Sequence, residues 1–249
     1  EIDLPEGTDP YASEVYARAA SNLRQMLDAG VLARDAEPCY YVYRLVMGDH
    51  TQTGLVAVAS VAAYDSNRIR KHEFTRPAKE DDRVRQIEAL HAQTGPVLLA
   101  CKSDPAVDAM LDAVAAAKPD VELTADDGIG HSLWVVRDVD MIERITAAFD
   151  AMEALYIADG HHRSAAASRV AASHAGNAAA AGFLAVIFPH RQMQILLEAV
   201  FFLARDVAKT WVESKTRGAV LNIASVAGDV HFPGLAAYAT AKAGVRGMT

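Results

Sequence analysis

Residues Tyr156 to Arg163 read YIADGHHR, and the fold turns on how this stretch is read. Ala154 to Ala158 is an apolar run that predicts a strand, Asp159-Gly160 breaks it, and His161 to His174 continues as an alanine-rich helix. A strand passing through one Gly straight into a helix is a building unit of an α/β fold. Such a helix start offers backbone N–H groups and a positive dipole end to an anion. Gly160 lets the backbone come close, and His161, His162 and Arg163 add side-chain donors. Asp159 is suited to orient an imidazole or to hold a metal ion. The same residues also suit an ordinary strand–turn–helix in which Asp159 is the N-cap. Zinc fits poorly, because His161 and His162 are adjacent, diverge by about 100° on a helix and lack a His at i+4. No metal is expected.

Outward from this stretch the pattern alternates. Tyr11 to Ala29 carries Val15, Ala19, Leu23 and Leu27 at helical spacing, with Gly30 as a stop. Cys39 to Val46 and Thr53 to Val61 predict strands joined through Gly48-Asp49-His50-Thr51. Glu80 to Ala92 predicts a helix with acids in its first turn. Pro96 to Cys101 reads as a buried strand, Pro105 to Ala117 as an amphipathic helix, and Leu133 to Val136 and Phe183 to Phe188 as further strands. The expected class is α/β, with an α+β main domain built on a mixed sheet.

The chain has 249 residues, of which 51% are hydrophobic and 22% charged, a soluble globular composition. A net charge of −8 argues against an extended nucleic-acid footprint, which needs clustered Lys and Arg, and leaves room for a local phosphate pocket. Cys39 and Cys101 form no C-x-x-C pair, in keeping with a reducing compartment. The longest apolar run, Ala178 to Phe188, is far below the ~20 residues of a membrane span, so a cytoplasmic protein acting on a small molecule is expected. The chain opens on Glu1 and stops at Thr249 inside a helix-like stretch; both ends read as cut.

Lys71-His72-Glu73, Thr75-Arg76 and Asp82-Arg83 form the densest cluster of chemically useful groups. One reading is a solvated charged loop. The other is an active site in which His72 or Glu73 removes a hydroxyl proton while Lys71 or Arg76 holds phosphate.

The blocks EIDLP, YVYR, IRKHEFTRPAKEDDR, GPVLL, LYIADGHHRSAAA and AVIFPHRQMQIL resemble a bacterial family known as domain of unknown function 1015. The resemblance runs from Glu1 to about Leu196 and lacks the family's portion before EIDLP. The DGHHR box is also similar to the phosphate-binding box of the ParB–sulfiredoxin superfamily, which includes free-serine kinases. That similarity implies a nucleotide, ATP or ADP, and phosphotransfer to a small hydroxylated metabolite such as free serine. Lys71, Arg76 and Asp159 to Arg163 would then bind phosphate, with His72 and Glu73 catalytic.

From Ala199 the texture changes. NIASVAGDVHFPGLAAYATAK, from Asn222 to Lys242, places Tyr238 and Lys242 on one helix face, where the ammonium makes the tyrosine a usable acid/base. This stretch resembles the short-chain dehydrogenase/reductase family. The resemblance implies Tyr238 as acid/base, Lys242 as its activator and nicotinamide-ribose ligand, Ser225 as the substrate-orienting hydroxyl, and NAD(P) as cofactor. It is partial: a Rossmann-like βα fragment without a Gly-rich pyrophosphate turn, with Leu196 where that family has Asn. The chain therefore reads as a composite, with residues 1–196 one domain and residues 197–249 a partial dehydrogenase segment. An NAD(P)-dependent oxidoreductase, or a chimera with no intact activity, are the alternatives to phosphotransfer.

Overall fold

The first two strands form where β-rich runs flank a tight turn. Strand β1 (Tyr40–Met47) and β2 (His50–Ser60) pair antiparallel, with Met47 opposite His50. Only Gly48 and Asp49 remain between them. Gly48 takes φ 57°, the positive value that a two-residue hairpin needs at its first position. These elements belong to a computed structural model that describes residues 3–194. The chain divides into two units, Glu1–Pro189 and His190–Thr249, and the sheet and its helices lie in the first. Leu196, Ser225, Tyr238, Lys242 and the βα fragment expected after Ala199 lie outside the described residues.

The first unit is of mixed α/β class, as the sequence indicates. Helix α1 (Ser13–Asp28) precedes the hairpin. After it come α2 (Val61–Asp65), β3 (Ile69–Arg70), α3 (Pro77–Leu90) and β4 (Val97–Cys101). The chain continues through α4 (Pro105–Ala115), β5 (Val121–Thr124), β6 (Gly130–Val136) and α5 (Val139–Ala151). It then reaches β7 (Leu155–Asp159), α6 (His161–Ser173) and β8 (Gly182–Pro189). The eight strands form one sheet in the order β3-β7-β4-β8-β2-β1-β6-β5. Two pairs, β3 with β7 and β4 with β8, are parallel.

Several elements differ from the sequence reading. Val61, expected to end a strand, instead opens α2, because the Ser60 hydroxyl accepts the Ala63 N–H at 3.2 Å and caps the helix. Helix α3 begins at Pro77 rather than Glu80, since proline at the first helical position lacks only an N–H that has no intrahelical acceptor. Helix α5 and strands β3 and β5 are additional to the sequence reading. Asp138 caps α5 by accepting the Met141 N–H at 2.8 Å. The last carbonyls of that helix are satisfied from outside it: Arg68 donates to Phe149 O at 3.0 Å and to Asp150 O at 2.7 Å.

The side chains of Leu55, Ala57, Ala59, Phe183, Ala185 and Ile187 stand opposite one another across the β2–β8 register, and with Leu99 and Ile157 they make one apolar sheet face. Val107 and Leu111 of α4, Ile145 of α5 and Ala167 of α6 cover it. Alanine at α6 positions lets that helix lie close to the sheet. Cys101 is buried there, and burial is the main cause that pushes its thiol up to about 12, so it is an unreactive packing group. Helix α3 packs on α6, and α1 packs on α3.

Candidate active site at the end of the parallel pair

Parallel strands deliver the segments after them to the same end of a sheet. Because β3 and β7 are parallel neighbours, residues 71–76 and Gly160 emerge together, and the next helix after each strand starts at that end. Strand β4 runs antiparallel to β7, so its approach through Pro96 arrives there as well. The carboxyl ends of parallel strands are where open α/β sheets place their ligands.

Gly160, not Asp159, is the N-cap of α6, with φ 101° and no side-chain capping bond. Such a φ favours glycine, and a Cβ there would sit 3.1 Å from Arg163 Nε. Asp159 ends β7 and pairs with the Arg163 guanidinium, which also donates to the Pro96 carbonyl. The first turn of α6, which no side chain caps, borders an open cleft of about 430 Å³.

Two histidines that the sequence offers as phosphate donors act as acceptors in the folded chain. His162 Nε2 receives the Arg76 backbone N–H at 3.0 Å, and His161 Nε2 receives the His72 N–H at 3.4 Å. In a neutral imidazole this places the ring proton on Nδ1. For His161 that nitrogen lies 3.7 Å from Glu73 Oε2. The two histidines therefore clamp the 72–76 loop over the start of α6, and His72 completes the packing with its ring 4.4 Å from that of His161, edge to face. His161 is only 5% exposed. Burial first, then the neighbouring His72, pushes its pKa down to about 4, so the ring is neutral. Replacing His162 by Gln, which retains an acceptor, is expected to keep the Arg76 amide protected. His162→Ala should lower that protection roughly two- to tenfold, one hydrogen bond's worth, in hydrogen exchange followed residue by residue; equal protection in both variants would refute the clamp.

Glu73 faces the cleft. So do Asp159, Gly160, His161, His162 and Arg163. Lys71 does not border it: its ammonium sits 3.8 Å from the centre of the buried Tyr64 ring, a cation–π contact. Arg76 contributes its backbone, as the N-cap of α3, and its side chain is exposed. The cleft instead recruits Lys79, Asp82 and Arg83 from α3. Their i, i+3, i+4 spacing puts them on one helical face, a signal present in the sequence. Arg83 pairs with Asp82 at 2.7 Å, whereas Lys79 makes no ion pair among the described residues. Tyr11 also borders the cleft, a placement no local pattern announces.

Helix α3 is locked onto α6 by Arg169, which reaches Asp81 at 2.7 Å and Glu80 at 3.4 Å; Glu80 in turn accepts from the Thr75 hydroxyl. Cations for an anion, amides at a helix start and a half-exposed carboxylate thus converge in one place. Among the described residues no three His, Cys, Asp or Glu side chains are grouped to hold a metal ion, and no helix there is long and apolar enough to cross a membrane.

No curated protein and no solved structure matches the chain. A family described as protein of unknown function (DUF1015) matches residues 1–199, most of the chain, and the chain belongs to that family.

Proposed function

We propose that this protein is a nucleotide-dependent phosphotransferase acting on a small hydroxylated metabolite such as free serine. The observation that carries the reading is the uncapped start of α6 opening into a cleft that also holds Lys79, Arg83, Arg163 and the Glu73 carboxylate. The similarity of the DGHHR box to the phosphate-binding box of the ParB–sulfiredoxin superfamily supports it. A nucleotide would supply the phosphoryl group. The α6 amides, Lys79 and Arg163 would hold phosphate oxygens, and Arg163 can do so while keeping Asp159, since a guanidinium has five donors. Glu73 would take the proton of the acceptor hydroxyl, with His161 Nδ1–H steadying the carboxylate. Lys71 and His72 would set the loop rather than touch phosphate.

The test is calorimetric titration of ATP, ADP and CTP into the folded chain. Binding is expected, and Arg163→Ala should weaken it roughly ten- to hundredfold. A folded sample that gives no heat with any of the three removes the proposal. Among the described residues no strand-to-helix turn has more than one Gly, so a dinucleotide seat of the Gly-rich kind is not offered there. The Ser225, Tyr238 and Lys242 reading accordingly ranks second.

A further inference from the structure

We infer that the cleft has a base subsite, with Tyr11 as its stacking platform, so that the ligand is a nucleoside phosphate rather than free phosphate or a polyphosphate. This rests on the phosphate-site reading and extends it. Tyr11 borders the same cleft as the start of α6. The other described side chains that line the cleft are cations, carboxylates and imidazoles, and the His161 ring is buried; Tyr11 alone among them presents a six-membered aromatic ring. It is 48% exposed, which leaves surface for a planar partner. Bases stack on aromatic side chains with little discrimination, because every base has a π-face.

Tyr11 is held in place for this. Its N–H donates to Asp9 Oδ1 at 3.0 Å, and Ala12 N–H donates to Asp9 O at 3.0 Å, forming a tight turn ahead of α1. Helix α1 is tied to α3 through the buried residue Tyr16, whose hydroxyl donates to Asp82 at 2.8 Å. Asp82 and Lys79 of that helix border the cleft. The turn that carries Tyr11 therefore leads directly into a helix that Tyr16 bonds to α3, the helix that supplies Lys79 and Asp82 to the cleft.

The experiment titrates ATP, ADP and inorganic tripolyphosphate into wild type, Tyr11→Phe and Tyr11→Ala, each checked for folding by circular dichroism. Tyr11→Phe should bind all three as wild type does. Tyr11→Ala should bind ATP and ADP about tenfold more weakly and tripolyphosphate unchanged. If Tyr11→Ala binds ATP as tightly as wild type, the base subsite is overturned and the phosphate site stands. Equal loss for ATP and tripolyphosphate overturns it too, since only a general change in the cleft does that. Wild-type protein that is folded and binds none of the three ends both readings at once.

Discussion

Folding stability is expected to fall as pH drops from about 6.5 towards 4, and much of the loss should trace to His161. Its pKa is about 4 in the folded chain against 6.5 for an ordinary imidazole. Between those values the unfolded chain takes up a proton that the folded chain refuses, so acid favours unfolding. The contribution is fully present above pH 6.5, declines by about 1.4 kcal/mol per pH unit through the window, and levels off below pH 4. The gap amounts to about 3 kcal/mol, and the ring's 5% exposure leaves little solvent to screen it. Protonation would also destroy the lone pair that accepts the His72 N–H. Urea denaturation at several pH values between 7.5 and 4 should give His161→Asn a distinctly flatter profile than wild type. Parallel profiles would show that the histidine is not the group responsible.

The largest kinetic effect is expected at Glu73. Glu73→Gln keeps the shape of the side chain and an oxygen for His161 Nδ1–H, yet cannot take a proton. Turnover with ATP and a hydroxylated acceptor should fall by about 10²–10⁴, with ATP affinity close to wild type. Loss of ATP binding in parallel with turnover would reassign Glu73 to the architecture of the cleft. Unchanged turnover would remove it from the chemistry.

Much of this fold can be read along the chain. The β-rich run around Tyr40–Met47, the short apolar run Val97–Cys101, the helical spacing of Ser13–Asp28 and the Gly160 break are local signals of side-chain placement and backbone freedom. Helix α5 is also within reach of the sequence, since Asp138 precedes Met141, Ile142, Ile145 and Phe149 at helical spacing. Strand β3 is not. A two-residue strand carries too little pattern and exists because β7 lies beside it. The candidate site divides in the same way. DGHHR and KHEFTR stand out as blocks, and the structure brings them within hydrogen-bonding distance.

The roles inside those blocks are not legible in the sequence. The composition of the loop suits phosphate cations equally at Lys71, Arg76 and Lys79. Only packing sends Lys71 onto Tyr64 and Lys79 into the cleft. Likewise a histidine at a helix start can donate or accept, and the choice falls to whichever group stands opposite, in this fold two backbone N–H groups of another segment. Strand, turn and helix follow from φ preferences and apolar periodicity, which are properties of neighbouring residues. The histidine clamp, the buried neutral ring and the approach of Tyr11 depend on which strands run parallel and which helices stack, contacts between residues far apart in the chain that local sequence does not encode.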